Sequence, residues 1–494
     1  MREVLSPFDR SRTVTGLFAV GLATIPFDSV HSVSALGELG GELSFPFFAA
    51  AIVLALWTEA RGGDSRIRSS LSLRVAAAAV AIILLSFLVN LSDIAAIVFR
   101  ERTGSNKFVT SLLVVLYGFA LAWLAEQVDS PRILPLIARF IGWSAAIASA
   151  YLVVEFAGKH GFLGGSFDAI DGIIHTRQAD VINAWNGRVN EKVLYGWDPR
   201  LRSVSFEPPA FGNYTGLAWP WVWFAAIKAP PERRLRAWGL LAIFTSAILL
   251  SASRTGLLLL ASNVVMIAVL GALYARSSAD GEAAAAARVL VPVAALVLAA
   301  VAAGWAAGQY QGIVAGLMQG ESVSNISRFG FQVAGFNMFV GHPLLGVGLG
   351  QFGFHVVEYL PDWIYRSPEV TPMITYPTAP WPNVYSLYAR LGAELGLFGL
   401  LGWILLWVGL AAKLGAQARR DASNGAARIS LHYPIILNCI GVLVSGIATD
   451  TYRTPMIWIA LGLGCGALAR ARSAAPARIA GELSPRLVPR RFPQ

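Results

Sequence analysis

The apolar positions of this chain run in long stretches separated by short basic segments. Twelve such stretches stand out, at about 13–29, 43–60, 75–90, 108–127, 134–157, 210–228, 237–252, 255–275, 289–309, 388–411, 433–449 and 455–470. A bilayer core takes roughly 20 apolar residues of helix, and lipid-facing backbone must satisfy its polar groups internally. The pattern therefore predicts an all-α polytopic integral membrane protein of about 12 transmembrane helices. The chain divides into N-terminal transmembrane helices (1–157), a loop (158–209), central helices (210–309), a second loop (310–387), C-terminal helices (388–470) and a flexible basic tail (471–494).

Charge sets the orientation. Loops on one side, together with both termini, hold 24 Lys and Arg, and the longer loops on the other side hold 13. The first side is cytoplasmic by the excess of positive charge, with both termini inside. The two large loops then lie on the outer face. They contain Trp, Tyr, Phe and Gly with few charge runs, which favours ordered structure at the membrane surface. The segment 276–288 reads as a linker on the inner side.

Composition agrees. Hydrophobic residues make up 55% of the chain and charged residues 14%, against about 25% charged in a soluble domain. This excludes an ordinary soluble enzyme and a disordered chain. The net charge of +10 is spread between apolar runs, so it serves topology and not nucleic-acid binding. Cys439 and Cys465 lie in apolar segments and form no C-x-x-C or metal spacing. Arg2, Arg10 and Arg12 precede an apolar run without a small-residue cleavage site, so the first run is expected to be a retained span.

A charge at the bilayer centre costs about 2.5–3.5 kcal/mol, and the unusual charges sit at outer ends of spans instead. The segment RLRSVSFEPPAFGNY (200–214) carries Arg200, Arg202 and Glu207. SASRTG (251–256) is a tight outer turn with Arg254 as its only charge. Positive charge is disfavoured there and a short turn needs no Arg; snorkelling to headgroups is the plain alternative. Segment 327–355 carries Arg328, His342 and alternating Gly346, Gly348 and Gly350. No strand precedes it and no Lys-Ser follows, so it is no nucleotide loop; the glycines read as a tight turn with close packing. Segment 381–399 carries Asn383, Tyr385, Arg390 and Glu394, the last two spaced to pair along a helix. DTYRTP (450–455) carries Asp450 and Arg453.

Lone arginines from distant parts of the chain thus lie at one depth on one face. Guanidinium stays charged and grips phosphate bidentately. Several of them converging suit a lipid-linked pyrophosphate, which they bind and stabilise as a leaving group.

These pieces resemble the O-antigen ligase/polymerase superfamily, which holds the lipid A-core O-antigen ligases and the Wzy-type polysaccharide polymerases. The resemblance rests on SASRTG, on Arg328 followed by GHPLLGVGLGQF, on PNVYSLYARLGAELGLFGL, and on a last outer turn with Asp450 and Arg453. It covers about 200–460. It implies a twelve-span glycosyltransferase of the bacterial inner membrane. Such an enzyme moves a glycan from undecaprenyl pyrophosphate at the periplasmic face, without cofactor or metal and with inversion. Carried over, Arg254 and Arg328 match pyrophosphate-binding arginines, and Arg202 the arginine before the sixth span. Arg453 is a further candidate for that group, with Asn383, Tyr385 and Asp450 as other substrate contacts.

One position departs from the ligases. They typically show a His before the Asn of PNVYSLY, and here that position is Pro382. Meanwhile Arg202 followed by FEPPAF resembles the Arg…Glu-Pro-Ser pattern of exopolysaccharide polymerases. Glu207 is therefore the preferred base, with a structural ion pair to Arg202 as the alternative. A nearby Arg is expected to lower its pKa. His342 and His355 are fallback bases. The aromatics Tyr359, Trp363, Tyr365, Tyr376 and Trp381 suit sugar stacking, although aromatics also populate interfaces by default. The reading is a polymerase of undecaprenyl-pyrophosphate-linked repeat units. A ligase acting on lipid A-core or another acceptor is the alternative within the family; a transporter or flippase and a non-catalytic scaffold lie outside it. Expected partners are the lipid-linked glycan, its acceptor, membrane lipids and a chain-length regulator, with no nucleic acid.

Overall fold

The computed structural model describes residues 8, 11–30, 32–33, 41–62, 70–128, 133–176, 200–275, 323–377, 379–423 and 431–482. The expected span at 289–309 and the linker at 276–288 lie outside the described residues. A helix overlaps each of the other expected spans, although those at 13–29 and 433–449 end early, at Thr24 and Ser445. In order these are α1 (Arg12–Thr24), α2 (Phe45–Gly62) and α3 (Leu71–Val89). A short α4 (Leu91–Ala96) and a two-strand hairpin, β1 (Val98–Phe99) and β2 (Arg102–Thr103), lead into α5 (Gly104–Glu126). The strands pair antiparallel, Val98 opposite Thr103. Then come α6 (Ile133–Lys159), the short α7 (Ser166–Ile174), α8 (Pro208–Lys228), α9 (Pro231–Leu250) and α10 (Arg254–Ala275).

Helices run through the described part of the expected second large loop. It holds α11 (Val323–Gly341), α12 (Phe352–Tyr359), a 3-10 turn (Asp362–Arg366) and α13 (Val370–Thr375). Three further helices follow, α14 (Leu387–Ser423), α15 (His432–Ser445) and α16 (Pro455–Glu482). The last continues past 470, so the expected tail begins as helix. Among the described residues, five helices are long and apolar enough to cross a membrane: Leu71–Val89, Gly104–Glu126, Pro135–Lys159, Arg254–Gly271 and Leu387–Asp421. The protein is an all-α, multi-pass membrane protein.

Buried aromatic and aliphatic side chains of these helices form one large core, with Trp123, Trp221 and Trp407 among the fully buried residues. Small residues set the closest approaches. A Cβ on Gly462 would run into the backbone of Ala122, and one on Gly118 into Trp458, which brings α16 against α5. At one end of the bundle Glu126 accepts from Leu71 N (2.8 Å) and Ser72 N (3.0 Å), anchoring the start of α3 to the end of α5.

The glycine tract repairs a broken helix. Within α14, Gly396 has φ 63 and ψ −157, so its helical ladder is interrupted. The freed carbonyls of Ala393 and Glu394 accept from Val347 N and Gly348 N, each at 2.9 Å, and Leu397 N donates to Pro343 O at 2.8 Å. Gly346, Gly348 and Gly350 all have positive φ, which only glycine adopts without strain. The tract is thus the turn and close packing expected, and it satisfies backbone groups that a membrane interior would leave costly.

Candidate active site

Three elements bring residues at or near their N-terminal ends toward one another. The first is α8. Pro208 and Pro209 open it, where a missing N–H costs nothing, and they hold Glu207 in extended geometry (φ −146, ψ 158) at its N-cap. The second is α10, whose first residue is Arg254. The turn before it is tight: Ala252 has φ 47, and Ser253 Oγ accepts from Gly256 N at 3.4 Å. Gly256 lies against Gly212 of α8; a Cβ on Gly212 would meet Gly256 N at 2.7 Å. This glycine contact draws Arg254 toward Glu207.

The third element is α11, which carries Arg328. Its guanidinium lies 5.6 Å from the centre of the Tyr385 ring, a cation–π arrangement. Gln332 Nε2 donates to Tyr385 O at 3.1 Å. Tyr385 itself has φ 58. That conformation is held by Asp450, whose carboxylate accepts from Val384 N (2.9 Å) and Tyr385 N (3.3 Å). Asp450 therefore shapes the turn that presents Asn383 and Tyr385.

The electrostatics tie these residues together. Glu207 interacts with Arg328, Arg200 and Asp450, and Arg254 with Arg328 and Arg200. The Glu207 side chain is reached by solvent, yet protein encloses it on most sides, so it sits in a recess. Enclosure raises its pKa more than Arg328 and Arg200 lower it, and Asp450 raises it further. The expected lowering by a neighbouring Arg is thus reversed, because desolvation of the carboxylate outweighs the attraction. Burial likewise pushes the Tyr385 phenol up.

Beside this cluster, and sharing Asp450 with it, lies a cavity of about 490 Å³. Arg390, Glu394 and Arg453 line it from the C-terminal part, Trp381 and Asn383 from the second loop, and Arg102 and Lys107 from the hairpin and α5. Arg390 Nε meets Glu394 Oε1 at 3.3 Å, the helix pair expected, and its Nη1 donates to Asp450 O at 3.0 Å. Arg100 donates to the carbonyls of Met373, Pro377, Ala379 and Pro380, tying the hairpin to the segment before Trp381.

Of the sequence-based candidates, Glu207, Arg254, Arg328, Tyr385 and Asp450 come together, and Asn383 and Arg453 line the adjoining cavity. Two lie elsewhere. Arg202 is buried and its Nη2 pairs with Asp171 Oδ2 at 2.8 Å, while its backbone N donates to Glu155 at 3.0 Å. It holds the 200–206 segment in place, and Arg200 takes the position in the cluster. His342 is exposed on the turn after α11, with Nε2 3.2 Å from the Tyr359 hydroxyl. His355 is part-buried on α12, its pKa lowered chiefly by burial. Arg102 and Lys107 were passed over, although the signal that marked Arg254, positive charge on the expected outer side, applied to them equally.

Residues 239–404 match the family model described as O-antigen ligase. The chain carries an O-antigen ligase family domain. The matched stretch runs from α9 into α14 and includes Arg254, Arg328, His342, Asn383, Tyr385 and Arg390. Glu207, Arg200 and Asp450 come to the site from outside it. No curated protein matches the chain. The O-antigen ligase family implies an enzyme of the glycosyl-transfer type.

Proposed function

We propose that this protein polymerises oligosaccharide repeat units carried on undecaprenyl pyrophosphate, at the periplasmic face of the inner membrane. The observation that carries the reading is the convergence of Arg254, Arg328 and Arg200 around Glu207. Three guanidiniums beside a recessed carboxylate suit a pyrophosphate leaving group next to a base.

In this mechanism the three guanidiniums hold the donor pyrophosphate. Glu207 takes the proton of the acceptor hydroxyl, whose oxygen attacks the anomeric carbon from the opposite face. The bond from that carbon to the pyrophosphate oxygen breaks, and undecaprenyl pyrophosphate leaves with the new negative charge on the arginines. A raised pKa brings Glu207 closer to neutrality, where a general base is most effective. Inversion, and catalysis without metal, follow from this scheme.

Ligation to lipid A-core is the second reading, favoured by the description of the matching family model. Pro382, where ligases typically carry His, weighs against it. The test supplies purified protein with an undecaprenyl-pyrophosphate oligosaccharide, with and without lipid A-core, and resolves the products by size. A ladder formed without lipid A-core and absent in Arg254→Ala establishes the polymerase. A single addition to lipid A-core establishes the ligase. No turnover of the cognate repeat unit returns the protein to the transporter or scaffold readings.

A further inference from the structure

The end of the bundle away from Glu207 carries a second basic feature. Both α6 and α9 begin there. At its far end α6 reaches the site through Lys159, whose ammonium donates to Arg200 O at 2.8 Å. Helix α9 ends at the turn before Arg254. The two helices thus run in the same direction and approach at Gly142, where a Cβ would lie 3.7 Å from Leu240.

Toward their N-termini lies a crevice of about 800 Å³, lined by Pro135, Leu136, Arg139, Trp143, Arg233 and Arg236. Among the described residues, none ion-pairs with or hydrogen-bonds to these three guanidiniums. The N-terminal ends of two long helices add positive potential at the same place. An anion is therefore the ligand that this basic crevice suits.

Depth identifies the kind of anion. Arg139 lies about 30 Å along α6 from Lys159 at 1.5 Å per residue, one hydrocarbon thickness. The crevice is at headgroup level. Trp143, 56% exposed, sits one turn deeper, in the belt where Trp lies against lipid. Leu136 and Trp143 give the opening an apolar wall that a soluble phosphate would leave wet. We propose that this crevice binds the phosphate headgroup of an anionic phospholipid in the leaflet opposite the active site. Basic pockets between helix ends are a recurrent place for such headgroups.

The test uses the full chain in detergent with an equimolar mixture of phosphatidylglycerol and phosphatidylcholine, read by native mass spectrometry. The wild type retains phosphatidylglycerol with about a tenfold preference. Arg139→Gln/Arg233→Gln/Arg236→Gln loses that preference. All three side chains are exposed, so the variant keeps its fold, and its melting temperature checks this. A control, Arg234→Gln/Arg419→Gln/Arg420→Gln, removes equal charge outside the crevice and retains the lipid. The proposal fails if the wild type shows no preference, or if the control loses the lipid equally, which would make the effect one of diffuse charge. It fails also if millimolar inorganic phosphate displaces the lipid, which would make the site one for a soluble anion.

Discussion

Two arginine networks stand side by side at the site end of the bundle, built from the same residue types and used differently. Around Arg202 every charge is matched. Its guanidinium meets Asp171, which also accepts from the Tyr151 hydroxyl at 2.8 Å, and Glu155 accepts from Lys159 and from two backbone N–H groups. His175 completes it, Nδ1 2.7 Å from Ser29 Oγ. Around Arg254 and Arg328 the arginines gather with Arg200 about Glu207 and Asp450, at a recess. The first network has spent its hydrogen bonds on the fold. The second brings Arg254, Arg328 and Arg200 close enough to act on one another. An arginine's role here is set by the neighbours it already has and not by its place in the chain.

Removing Arg254 separates the two most strongly. Arg254→Ala and Arg328→Ala are expected to reduce turnover by about a hundredfold or more while leaving the melting temperature near wild type. A loss of folded protein in step with activity would merge the two networks. Glu207→Gln comes next, with kcat lowered by about a hundredfold or more. Its sharper signature is the pH profile: the acid limb of the wild-type rate lies above the ordinary carboxylate range and disappears in the variant. A retained limb would move the base elsewhere.

Arg202→Gln should act on the other side of the comparison. Breaking a buried pair leaves Asp171 uncompensated, and thermal unfolding is expected to show a loss of about 3 kcal/mol. A matching double change, Arg202→Gln/Asp171→Asn, should recover part of it. If Arg202→Gln instead left stability intact and abolished turnover, Arg202 would belong to the active cluster after all.

Acidity loads the same network. Burial, with Arg202 as the second cause, lowers the His175 pKa from its ordinary value to about 3. Between that value and 6.5 the unfolded chain binds the proton and the folded chain does not. Stability is then fully present above about pH 6.5 and declines as pH falls toward 3. His175→Asn should flatten this decline in melting experiments. The smallest effect is expected for His342→Ala. An exposed side chain with one contact contributes within about 0.5 kcal/mol to stability, and turnover should stay near wild type. A large loss of activity would bring the second loop's far turn into the mechanism.

The helices were legible in the sequence because lipid permits few alternatives: a long apolar run must satisfy its own backbone. The positions of Arg254, Arg328 and Glu207 were legible as charges at span ends, since such charges are disfavoured unless they serve something. The helical content of 323–377 was harder to read. Helices α12 and α13 are short, and α11 packs on α14 and on the 3-10 turn, as Gly335 does on Ala389 and Gly330 on Ile364. The part played by Arg102 and Lys107 was hidden by distance along the chain, since the hairpin meets Trp381 only through the fold.

Sequence alone therefore determined the solvent of this protein, its helices, and the list of charges that could do chemistry. Those follow from local physics: hydropathy over a span, the fixed φ of Pro208 and Pro209, the missing Cβ of the glycine tract. Tertiary structure decided which charges meet. Arg200 and Arg202 are two residues apart, yet one joins the cluster and the other is paired with Asp171. The direction of the Glu207 pKa was decided in the same way, since enclosure by the surrounding protein outweighs the arginines near it. Desolvation and pairing depend on what surrounds a group in space, and that is fixed only when distant segments have packed.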